Sequence, residues 1–369
     1  EALDVTKAAL ELCQELQDYA IEARLLLTLA DAQERLDSLD EALQAAQDGA
    51  AIFRALEGEW ELAGYAQYAV ARLHAQMMEI GQAMEESQLA RDLFYKAGNV
   101  RCEGLTILQM AGITGMDREK LEEAVGMADQ ARDIFQKAGD RVADAFALHV
   151  KAEMCRASGE FDRAIEAAAE RRRMLHELGF RKEEAKSMHA VAGIHLAKHD
   201  AAEATRAARE GLRLARACGD RATEVHMLIQ LTHASALLVS EGGGQDKQPC
   251  HSEEMLKTSA EAVAIARKVA GGRLRAPALF WNAYALNVTP RSVEALDVVE
   301  ESTRLFRAVR DRTGEAHATL LTAQVYYVRQ KVDRANEVAQ AALSMFQELG
   351  DRQGQELVQS TLQQFVATA

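Results

Sequence analysis

Hydrophobic residues return along this chain with the spacing of helices, and the helices themselves return with a longer period. In alternate segments a small apolar residue recurs as Ala42, Ala83, Ala124, Ala164, Ala204, Ala295 and Ala335. Eleven residues later a large one often follows: Phe53, Phe94, Phe135, Leu175, Phe306 and Phe346. Eleven residues make about three helical turns, so both lie on one face. The alanine lets a neighbouring helix approach, and the large side chain fills the space at the junction. The intervening segments carry a second small position, Ala30, Ala111, Ala152, Ala192 and Ala323, from which Val70, Thr232 and Tyr284 depart. A large residue there should splay the pair, which makes the seventh repeat the expected irregular join.

Between the apolar runs sits a recurring polar corner. Lys137-Ala138-Gly139-Asp140-Arg141 is the clearest, with Ala97-Gly98-Asn99, Leu178-Gly179-Phe180-Arg181, Cys218-Gly219-Asp220-Arg221, Val309-Arg310-Asp311-Arg312 and Leu349-Gly350-Asp351-Arg352 as further copies. Leu16-Gln17-Asp18, Glu57-Gly58-Glu59 and Gly271-Gly272-Arg273 are degraded ones. Glycine ends a helix in the left-handed conformation without a Cβ clash, and the Asp caps the next helix. The Asp-equivalent positions are 18, 58, 99, 140, 180, 220, 272, 311 and 351, a spacing of about 40 residues broken once. An acid four residues past the mark (Glu22, Glu103, Asp144, Glu184, Glu224, Glu315) suits the positive end of each helix dipole.

The pattern predicts an all-α chain of paired helices, A and B. Residues 1–16 form a half-repeat. The pairs follow at 20–36 with 40–56, 60–79 with 81–97, 101–115 with 119–138, 142–158 with 161–178, 182–198 with 201–218, 221–239 with 252–270, 274–287 with 291–309 and 313–330 with 333–349. A terminal helix, 352–366, closes the array. Residues 1–369 read as a single solenoid of about eight helical hairpins, with a loop insertion over 240–252 in the sixth.

Composition narrows the function. The net charge of −14 argues against a nucleic-acid surface. No apolar run approaches the ~18–20 residues of a membrane span, so no membrane insertion is expected. The five cysteines are odd in number and lack C-x-x-C spacing, which favours a reducing compartment, the cytoplasm by default. The chain opens on Glu1 inside a helical pattern, as a mature form or a piece of something longer would. Gly242-Gly243-Gly244-Gln245-Asp246-Lys247 lacks the phosphate-loop spacing, and Cys250-His251 lacks a second ligand pair. Arg171-Arg172-Arg173 reads as a solvated outer face. No nucleophile is set beside a histidine, so no catalytic residue, metal, cofactor or small-molecule substrate is expected.

The corners, together with Gly159-Glu160-Phe161-Asp162-Arg163-Ala164-Ile165, resemble the tetratricopeptide repeat in its longer form, as in spindle adaptors and kinesin light chains. That resemblance covers nearly the whole chain. It implies a right-handed superhelix whose A helices line a concave groove that binds peptides or partner helices. In that register the candidate partner-binding residues are Arg24, Asp31, Phe146, His149, Glu153, Lys186, His189, His226, Gln230, His233, Trp281, Asn282 and Gln324. The family's peptide-gripping Asn ladder is reduced to Asn282, with Gln109 and Gln230 at matching places, and its carboxylate clamp is not assembled. The A-helix histidines, His74, His149, His189, His226, His233 and His317, read either as a ridge titrating between about pH 6 and 7 or as ordinary polar groups between helices.

The expected function is a non-enzymatic scaffold or adaptor that holds a partner peptide or amphipathic helix in the groove. The alternatives are a structural subunit of a larger assembly, contacted through its convex face and ends, and the sensor portion of a multidomain regulator.

Overall fold

A computed structural model of the chain describes residues 2–36, 38–56, 58–241, 250–269, 272–289 and 291–367. Among them there are eighteen α-helices and no strand. They fall into two compact units, residues 1–175 and 176–369.

In the first unit the helices are α1 (Ala2–Leu16), α2 (Tyr19–Arg35), α3 (Leu39–Ala55), α4 (Trp60–Gln76), α5 (Ile80–Ala97), α6 (Val100–Thr114), α7 (Leu121–Ala138) and α8 (Arg141–Ala157), with most of α9 (Phe161–Glu177). A short 3-10 turn, Arg118–Lys120, leads into α7. The second unit holds α10 (Arg181–Ala197), α11 (Ala201–Cys218), α12 (Arg221–Glu241), α13 (Cys250–Ala266), α14 (Gly272–Asn287), α15 (Ser292–Ala308), α16 (Arg312–Val328), α17 (Val332–Glu348) and α18 (Arg352–Ala367). Within each unit the A helices also touch one another, α4 against α6 and α6 against α8, then α10 against α12, α12 against α14 and α14 against α16. Residues 242–249, most of the expected 240–252 insertion, lie outside the described residues.

The corners follow the sequence. Gly98, Gly139, Gly179, Gly219 and Gly350 all take positive φ, between 66° and 76°. Where glycine is missing, Gln17, Met78, His199, Arg310 and Gln330 hold the same left-handed turn. The caps form as expected: Asp18 accepts from the Ile21 amide (3.1 Å), Asn99 from Cys102 (2.9 Å), Asp140 from Ala143 (3.0 Å), Asp311 from Gly314 (2.8 Å) and Asp351 from Gly354 (3.1 Å).

The acid past each mark does more than complement a dipole. Glu224 is buried and accepts from Arg216, eight residues upstream on α11 (2.8 Å), and from Arg221 beside it (2.7 Å). Glu315 repeats this with Arg307 (2.8 Å) and Arg312 (3.4 Å), and Glu184 with His176 (3.0 Å) and Arg181 (2.9 Å). Asp144 receives Arg132 (2.8 Å). Each carboxylate thus clasps the end of one helix to the start of the next. Burial alone would raise the Glu184 and Glu224 carboxyls; the charge-assisted hydrogen bonds outweigh it and hold both below the ordinary carboxylate value.

Phe53, Phe94, Phe135 and Phe346 are among the most deeply buried side chains, and Ala42, Ala83, Ala124 and Ala335 are fully buried with them. Glycines receive four of the phenylalanines. A Cβ on Gly64 would sit 2.8 Å from the Phe94 ring, and Gly104, Gly314 and Gly354 are as closely covered by Phe135, Phe306 and Phe346.

Two degraded corners shift the expected positions by one residue. The cap of α4 is Glu59, so Ala71 takes the small site there and Val70 its buried neighbour. On α14 the small site is Ala283, fully buried, and Tyr284 is only half-buried beside it. The seventh pair therefore does not splay: Ala276, Ala283, Val299 and Phe306 share one cluster across α14 and α15. Thr232 keeps the small site on α12 by bonding its hydroxyl to the Leu228 carbonyl (2.9 Å) and to Thr258 (2.9 Å).

Candidate functional site

On the second unit's A helices the candidate residues come together as a string of rings and amides. His189 of α10 and His226 of α12 lie 5.2 Å apart between ring centroids. The Gln230 amide is 3.0 Å from the His189 Nε2. One turn on, His233 stacks on Trp281 of α14 at 4.4 Å with the planes 29° apart. Trp281 meets Tyr284 and Phe280 edge-on, each at 5.5 Å. His189, His226, Gln230, His233, Trp281 and Tyr284 are all half-buried, so each offers part of its surface. The string can form because α10, α12 and α14 touch directly and each carries a small buried residue (Ala192, Ala234, Ala283).

Other candidates sit apart from it or are already engaged. Lys186 is exposed and pairs with Glu183 (2.8 Å). Asn282 donates to the Ser259 hydroxyl of α13 (3.1 Å), which spends one amide hydrogen inside the array. Gln324 is half-buried on α16.

In the first unit, Phe146 is exposed and lies 6.4 Å from the half-buried His149 ring on α8. Glu153, a turn further, is held by Arg156 (2.8 Å). Arg24 and Asp31 are exposed on α2, and Asp31 meets Arg72 of α4 (3.2 Å). Arg72 also binds Glu34, and Gln76 donates to Glu34 (2.7 Å), so this face is a polar network that single-helix reading did not show.

Four of the A-helix histidines do not fit a ridge that titrates between pH 6 and 7. Burial pushes His149, His226, His233 and His317 down from 6.5, His233 to about 4 with help from the charge of His199. They are neutral groups at pH 7, available as hydrogen-bonding rings.

Tyr284 and Phe280 belong to the string but were missed in the sequence. Their signal was the aromatic density of 280–284, the only place where three aromatics fall within five residues. Among the described residues there is no cluster of three or more His, Cys, Asp or Glu placed to hold a metal. No helix there is long and apolar enough to cross a membrane.

No family model matches the sequence, and no curated protein matches it either. Solved structures do resemble the fold. A signal-transduction ATPase with a tetratricopeptide repeat sensor, from Pyrococcus horikoshii, aligns at TM-score 0.60 and 14% identity, over 97% of this chain and 55% of that one. The apo form of the quorum sensor NprR from B. thuringiensis aligns at 0.59 and 11%, over 94% and 97%. A Rap protein complexed with competence and sporulation factor aligns at 0.53 and 12%, over 95% and 98%. At such identities the likeness speaks for the fold, and it agrees with the spacing, the corners and the helix pairing: the chain is an all-α solenoid of tetratricopeptide-like repeats.

Proposed function

We propose that the chain is a non-enzymatic protein-interaction module that holds a partner peptide or helix along its A-helix face. The observation that carries this reading is the half-buried string from His189 to Trp281 and Tyr284. Rings and amides spaced along three successive helices suit an extended or helical segment better than a compact small molecule. A large aromatic with partial exposure, ringed by other side chains, is the usual centre of such a contact. The fold shared with a quorum sensor and with a repeat sensor is in keeping with this reading.

The chain has two tryptophans, Trp60 and Trp281, so Trp60→Phe leaves Trp281 as the sole indole. Peptides selected from a random display library against this variant should shift its emission on binding. They should lose about tenfold or more in affinity when Trp281 is instead replaced by Ala. Peptides that bind Trp281→Ala as tightly as the parent would move the contact to the convex face or the ends, as a structural subunit requires.

A further inference from the structure

Along most of their length the helices that carry the string hold no charge. Ser187–Ala197 on α10, Val225–Ser240 on α12 and Ala276–Asn287 on α14 contain no Asp, Glu, Lys or Arg. In a chain whose residues are 27% charged, an uncharged run of that extent on three adjoining helices is not a matter of composition. Four charges at its margin are engaged elsewhere. Glu184 and Glu224 are buried in their corner clasps, Lys186 is paired with Glu183, and Arg275 is bound to Glu301 of α15. Their paired helices do carry charge: α13 and α15 hold more acids than bases, and α11 holds more Arg than Glu.

A charged group docked on this wall would give up water without meeting a counter-charge. An uncharged segment meets what the wall does offer: the indole of Trp281, the Tyr284 ring, the neutral imidazoles of His226 and His233, and the Gln230 amide. Resting on the reading above, we infer that the face of α10, α12 and α14 takes an uncharged, ring-bearing stretch of a partner polypeptide, held by stacking and amide hydrogen bonds, and not an acidic or basic tail.

The probe is the tightest peptide selected against the Trp60→Phe protein. Its contact positions should be free of charge and rich in aromatic or large aliphatic residues. Its affinity should change less than about twofold between about 50 and about 500 mM salt, because no ion pair is there to be screened. A version with Glu or Lys at a central ring position should bind at least about tenfold more weakly. Gln230→Glu, with helicity checked by circular dichroism, should weaken the uncharged probe likewise. Selected peptides that are charge-rich, or that lose about tenfold on adding salt, overturn the inference, while their shift of Trp281 emission would leave the peptide-binding reading standing. Peptides that leave Trp281 emission unmoved sink both.

Discussion

His233 and Trp281 set the residue scale. A protonated imidazole stacked on an indole quenches its emission, so Trp281 reports on the charge of His233. With Trp60 replaced by Phe, emission should stay level from about pH 8 to about pH 5.5, because burial holds the His233 imidazole neutral there. A quench centred near the ordinary histidine value, about 6.5, would mean that this ring is open to water. The sequence named both partners, since each falls on the expected A-helix column. It did not show that they touch. Contact between rings on successive helices depends on how closely the helices approach, and a one-residue ambiguity at Gly271-Gly272 hid Tyr284 from the same column. Asn282 shows the converse: its place in the column was legible, but its bond to Ser259 on the paired helix was not.

At the scale of elements, the corner was legible because it is local. A left-handed glycine and a capping Asp act within a few residues, and both appear where the spacing put them. The clasp was only half legible. The acid was seen as a partner for a helix dipole, whereas Glu224 reaches back eight residues to Arg216, across a turn that single-helix reading treats as a boundary. The glycine seats went unseen because their partners lie on another helix. Adding a methyl group at Gly354 drives it into the Phe346 ring. Gly354→Ala should therefore destabilise the α17–α18 contact by roughly 1–3 kcal/mol, whereas Gly81→Ala on α5, where a Cβ meets open space, should not. Urea unfolding of the two variants checks this; equal midpoints would mean that the ring moves aside freely.

For the whole molecule, the two kinds of shifted group act in the same direction on acidification. The imidazoles of His149, His226, His233 and His317 are pushed down, so the unfolded chain binds protons that the folded chain refuses once the pH falls below about 6.5. The carboxyls of Glu184 and Glu224 are also held low; their contribution is full above the unfolded value, about 4.5, and is lost as pH falls through the folded one. The melting temperature should be level above about pH 7, decline below about 6.5 and fall more steeply below about 4.5. Glu224→Gln should soften the last arm and lower stability at neutral pH by roughly 1.5–3 kcal/mol, the worth of a charge-assisted bond in a buried corner. A melting temperature that rises between pH 6.5 and 5 would contradict this account. The corners have one more consequence, which concerns how such a chain changes length. Gly98-Asn99 and Gly139-Asp140 present the same left-handed residue, the same cap and the same following helix. A deletion of 99 through 139 would join one corner directly to the next, leaving a shorter protein whose seam is indistinguishable from the seams beside it. Genes built this way can gain or lose a whole module by slipping between copies, and the corner is the point at which such an exchange leaves no scar.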